Sequence, residues 1–126
     1  MNETAALKCY ECAVKADGQM DLILSILGKL HTIRSNGDLG EREIGNAREV
    51  ALIALSEALK ETKMALNSTK EGRFENIAEG LGRAIRLVER DRYYEAGDVV
   101  AELASDRAAI SHQAIQKMFN RTQSLW

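Results

Sequence analysis

No proline occurs anywhere in these 126 residues. At an average usage of about 5%, roughly six would be expected. Proline lacks the backbone N–H that a helix interior needs, and its ring clashes with the preceding turn. A chain free of it can carry long helices without interruption. Aromatic residues make up only 5% of the sequence, and Ala, Leu, Glu, Lys and Arg dominate it. These are helix formers, and the β-branched and aromatic residues that favour strands do not gather into runs. The expectation is an all-α fold.

Length and charge narrow the choice further. A chain of this size makes one domain and buries about two-thirds of its unfolded surface, enough for a core without metals or disulfides. With 45% apolar and 29% charged residues, global disorder is excluded. A formal net charge of −2 gives no long-range attraction to nucleic acid or acidic membranes. The first residues carry no basic-then-apolar leader, and no apolar run is long enough to cross a bilayer. Two cysteines without a secretion signal fit a reducing compartment, so the expected localisation is cytoplasmic.

The first segment carries a heptad. Ala6, Ala13, Met20 and Leu27 recur every seven residues, and Cys9, Ala16, Ile23 and Leu30 fill the complementary position. This alternating spacing of three and four is the seam of a left-handed helical packing. Gly18 falls on the outermost position and costs about 1 kcal/mol without ending the helix. One helix is expected over residues 2–34, with Asn2 as its cap. The seam is small at its start and large at its end, which predicts close helix approach near Ala6–Ala16.

A stop at Asn36–Gly37 and a capping-box spacing of Asp38 and Glu41 open a second helix over 39–67. Leu52, Leu55, Leu59 and Leu66 form its stripe, flanked by Ala51, Ala58 and Ala65, while Val50, Ile53 and Met64 lie on the opposite side. Ser68 and Glu71 repeat the capping spacing. A third helix is expected over 74–92 on Ile77, Leu81, Ile85 and Val88. A joint at Tyr93–Gly97 leads to a fourth over 98–121, capped by Asp98. Short loops between four helices describe a single bundle-like domain, with Trp126 docking or fraying at its end.

Catalytic chemistry gathers no support. Cys9–Tyr10–Glu11–Cys12 has redox or metal spacing, but a reactive CxxC follows a strand at a helix start, whereas this one lies inside a helix. His31 and His112 could complete a zinc set only if one ion reached both, and His31 is about 30 Å further along the same helix. The pairs Glu41 and Glu43, Glu57 and Glu61, and Glu75 and Glu79 lack the Glu-x-x-His element of carboxylate metal sites in bundles. No phosphate-cradling glycine loop or nucleophile elbow is present. The expectation is no enzyme, no cofactor and no metal.

Binding features are clearer. Arg83, Arg86 and Arg90 form one helical stripe, with Arg92, Tyr93 and Tyr94 beside it, as a ridge for a protein partner. Val50, Ile53 and Met64 are surplus to one buried face and are assigned to a homodimer interface. Residues 104–121 resemble a helix-turn-helix, with Ala104, Ala108, Ile110, Ile115 and Met118 at its apolar positions and Ala109 at its turn. Ser111, His112, Gln113, Gln116 and Lys117 would then face DNA. The stretch 95–121 holds four acids against three bases, a poor footprint for a polyanion. The leading expectation is a non-catalytic interaction module of adaptor or inhibitor type. A DNA-binding regulator and a CxxC redox or metal protein are the alternatives.

Overall fold

The computed structural model describes residues 3–37 and 40–123. Among these residues there are five helices and no strand: α1 Glu3–Asn36, α2 Glu41–Thr69, α3 Arg73–Glu89, α4 Tyr93–Glu102 and α5 Ala104–Gln123. The proposed caps Asn2 and Asp38, and the tail residue Trp126, lie outside the described residues.

The helices form an all-α bundle of four sides. α1 packs on α2, α4 and α5, while α3 packs on the same three elements from the opposite corner, its backbone diagonal to that of α1. Ion pairs fix the directions. Arg34 of α1 and Arg48 of α2 meet at Asp91, just past α3, so the end of α1 lies beside the start of α2 and the end of α3. Further down, Lys15 pairs with Glu61 at 3.0 Å and Asp17 with Arg107 at 2.5 Å. α1 therefore runs antiparallel both to α2 and to the α4–α5 side. α3 is only 17 residues long, against 34 for α1 and 29 for α2.

All eight heptad positions of α1, from Ala6 to Leu30, are buried. α2 buries Ala51, Leu55, Ala58, Thr62 and Ala65. Its centre is thus the alanine row rather than the leucine row, and Leu52, Leu59 and Leu66 are only half buried. Glu61 marks the edge of α2 toward α1, and 3.6-residue periodicity puts these leucines on the other edge, toward α3. Thr62 belongs in the core because its hydroxyl donates to the Ala58 carbonyl at 2.7 Å. α3 contributes Phe74, Ile77, Leu81, Ala84 and Val88, and Phe74 is the largest fully buried side chain. Between α1 and α2 a cleft of about 500 Å³ opens beside Ala16, Thr62 and Ala65.

Three expectations are corrected. The fourth helix is not one helix over 98–121 but two, beginning earlier at Tyr93 and broken at Leu103. At the break the Leu103 N–H bonds back three residues to Val100 at 3.1 Å, a 3₁₀-type tightening. The Leu103 side chain rests on Gly80 of α3, where a β-carbon would lie within 3.0 Å of the Leu103 Cγ. Asp98 consequently lies inside α4 and caps nothing. Ser68 lies inside α2, where its hydroxyl donates to the Met64 carbonyl at 3.0 Å, so it does not start the next helix. Glu71 accepts instead from the Arg73 N–H at 3.2 Å.

Candidate functional site

The corner where α3 meets α4 carries the most developed polar geometry. α3 ends in a Schellman motif: the Arg92 N–H reaches the Leu87 carbonyl at 2.9 Å and the Asp91 N–H reaches Val88 at 3.0 Å. Asp91 therefore occupies the position that most helices give to glycine, with φ at 60°. Its carboxylate accepts from the Tyr93 hydroxyl at 2.7 Å and from Arg48 Nη1 at 2.8 Å, and Arg34 Nη1 lies 3.2 Å away. The Tyr93 hydroxyl and the two guanidinium groups hold the Asp91 carboxyl below the usual carboxylate range, against the opposing effect of burial. Burial pushes the Tyr93 phenol up, and its bond to Asp91 pushes it further. The Arg34 guanidinium also sits 6.0 Å from the centre of the Tyr93 ring.

This geometry revises the partner ridge. Tyr93 is 2% exposed and belongs to the core, so it is withdrawn from the set of contact residues. Its ring fills the space between α1 and α4 while its hydroxyl closes the Asp91 cluster. Arg92 is exposed but engaged in its own turn, with Nε 2.8 Å and Nη2 2.5 Å from the Glu95 carboxylate. Arg83, Arg86 and Arg90 are exposed and make no ion pair among the described residues. Tyr94 is 62% exposed, its ring 5.2 Å from that of His31. The outer face of α3 thus passes from Glu75 and Glu79 to Arg83, Arg86 and Arg90, the polarity that complements a helix dipole.

The apolar surplus on α2 lies where the sequence pattern puts it. Val50, Ile53 and Met64 are 55, 63 and 60% exposed on its outer face. Two further apolar groups escaped sequence reasoning. Leu7, Val14 and Leu22 are exposed on α1, and Ile115 and Phe119 are exposed on α5. The signal was available in Leu7 and Val14, which sit seven apart and one position past the buried Ala6 and Ala13. The Asp91 cluster was missed as well.

Both cysteines are free, Cys9 buried and Cys12 partly so, and burial pushes both thiols up rather than down toward a reactive thiolate. His31 and His112 are both exposed, and among the described residues no three His, Cys, Asp or Glu side chains gather as a metal ion requires. Glu61 is held below the usual carboxylate range by Lys15, while Glu41, Glu43, Glu57, Glu75 and Glu79 face solvent. Residues 104–121 run as one continuous helix within α5, with no turn at Ala109. A helix-turn-helix needs that turn to lift its second helix into the groove, so the resemblance does not extend to the geometry. Among the described residues no helix is long and apolar enough to cross a membrane. No protein-family model matches the chain, and no curated protein or solved structure matches it.

Proposed function

We propose that the protein is a non-catalytic helical interaction module that forms a homodimer through the outer face of α2 and binds another protein, in the manner of an adaptor or inhibitor. The observation that carries this reading is the exposed apolar set Val50, Ile53 and Met64, on a helix whose opposite face already fills the core. Apolar side chains gathered on one face favour a protein contact. The arginine ridge Arg83, Arg86 and Arg90, with Tyr94 at the neighbouring corner, supplies side chains of the kind that dominate binding hot spots. None of the three guanidinium groups makes an ion pair among the described residues, which supports an acidic contact surface on the partner. The free thiols agree with work in the cytoplasm, where they stay reduced.

Light scattering tests the assembly. A dimer that Ile53→Asp converts to a folded monomer supports the α2 interface, and a wild-type chain that stays monomeric at high concentration refutes it. Arg86→Glu combined with Arg90→Glu should abolish partner capture while leaving the circular dichroism unchanged. Undiminished capture would remove the ridge from the reading.

A further inference from the structure

The cleft between α1 and α2 has dimensions and chemistry that no dimer interface on the outer face of α2 requires. It runs from Lys8 to Gln19 along α1 and from Glu57 to Ser68 along α2, eleven helical rises on each side, roughly 16 Å. With a volume of about 500 Å³ it is long and narrow, and within the usual size range of small-molecule sites. Its walls are Cys12, Ala16, Thr62 and Ala65, with Phe74 of α3 as the floor and Met64 as an exposed lip. Thr62 presents its methyl group rather than a free hydroxyl, because the hydroxyl is committed to the Ala58 carbonyl. Ala16, the one heptad-seam residue of α1 in the lining, and Ala65 are small and leave the space between the helices open.

The ends of the cleft differ in charge. At the upper end Lys60 makes no ion pair among the described residues but shares the lining with Glu57 and lies within electrostatic reach of Glu61; midway Lys15 is held by Glu61, which also accepts from Gln19. At the lower end Lys8 lines the cleft with Ser68 and no carboxylate, and it makes no ion pair among the described residues. An apolar-walled slot that ends at an ammonium group with no carboxylate in the lining beside it complements a molecule with an alkyl chain and a single negative head. We propose that the cleft binds a free medium-chain fatty acid, with its chain between α1 and α2 over Phe74 and its carboxylate at Lys8. The cleft shares Met64, its lip, with the proposed dimer face, whereas its walls and Lys8 lie outside that face.

The test uses the full chain with octanoate, decanoate and laurate below their micelle thresholds, and dodecanol as the neutral twin of laurate. Calorimetry should show affinity rising about fourfold per added methylene, the increment expected for burying each CH₂. Laurate should slow alkylation of Cys12 by N-ethylmaleimide, because that thiol lines the cleft. Ala65→Leu should fill the slot and abolish binding. Lys8→Glu, at an exposed position that leaves the fold intact, should weaken laurate at least tenfold and leave dodecanol unchanged. Affinity indifferent to chain length, or an unchanged Cys12 alkylation rate in saturating laurate, would overturn the site. Equal sensitivity of laurate and dodecanol to Lys8→Glu would overturn the placement of the carboxylate.

Discussion

Replacing Asp91 sets two effects of opposite sign against each other. The residue holds a left-handed backbone at φ 60°, which costs an L-amino acid about 1 kcal/mol or more, Asp being at the low end. Glycine would relieve that cost, and most helix ends choose it. Against this stands the carboxylate. Its bond from the buried Tyr93 hydroxyl is charge-assisted and contributes about 2 kcal/mol. Arg34 and Arg48 are respectively 50 and 39% exposed in their side chains, so solvent screening reduces each to about 0.5 kcal/mol. The cluster therefore supplies about 3 kcal/mol and outweighs the backbone strain. Asp91→Gly should destabilise by about 2 kcal/mol, Asp91→Ala by about 4, and Asp91→Asn, which keeps an acceptor and tolerates the left-handed backbone, by about 1. For a chain of this size each kcal/mol moves the melting temperature by about 3 to 5 °C. Thermal melts followed by circular dichroism would give the order Asn, Gly, Ala. The same carboxyl is held low in the folded state, so its contribution is present above the unfolded value near 3.9 and disappears as pH falls through the folded value. Asp91→Asn should accordingly lose less stability than wild type on acidification from pH 7 to 3. An Asp91→Gly protein as stable as wild type at pH 7 would refute the reasoning, since the strain would then exceed everything the cluster provides.

Other outcomes follow from the packing. Gly80→Ala would drive a methyl group into Leu103 of the α4–α5 break, and urea denaturation should show a loss of about 1–3 kcal/mol that the pairing with Leu103→Ala reduces. Gly18 and Gly28 lie in open space on α1, so Gly18→Ala and Gly28→Ala should each raise stability by about 0.5–1 kcal/mol in the same assay. With N-ethylmaleimide under native conditions, Cys12 should alkylate slowly and Cys9 only in denaturant, because Cys9 is fully buried and both thiols are shifted up. Rapid native alkylation of Cys9 would contradict the packing of the α1 seam.

The heptad of α1 was legible because its period persists over the whole helix, and every seam residue from Ala6 to Leu30 is buried. On α2 the same method put the core on the leucines, whereas the alanine row is buried deepest. Leucine fills wide gaps and alanine narrow ones, and the widths depend on neighbours that a single helix does not reveal. The break at Leu103 was hidden because its partner is Gly80, on another element. Tyr93, Ala96 and Val100 form a buried stripe at helical spacing, yet Gly97 and Asp98 between them suggested a joint, and Tyr93 was consequently assigned to a surface. The Asp91 cluster draws Arg34 and Arg48 from two other helices; nothing local in the run Arg90–Asp91–Arg92 points to them. Exposed apolar residues on α2 were legible because they violate the pattern of their own helix.

The antiparallel pairing of α1 with α5 has a consequence for synthesis. Asp17 and Arg107, ninety positions apart, face each other across that seam. During translation α1 leaves the ribosome well before α5, the helix packed along its other flank. At about 5–20 residues per second the interval between them lasts several seconds. Through that interval the nascent chain shows the ribosome exit and its attendant chaperones a half-covered hydrophobic seam, and the bundle closes only when α5 arrives.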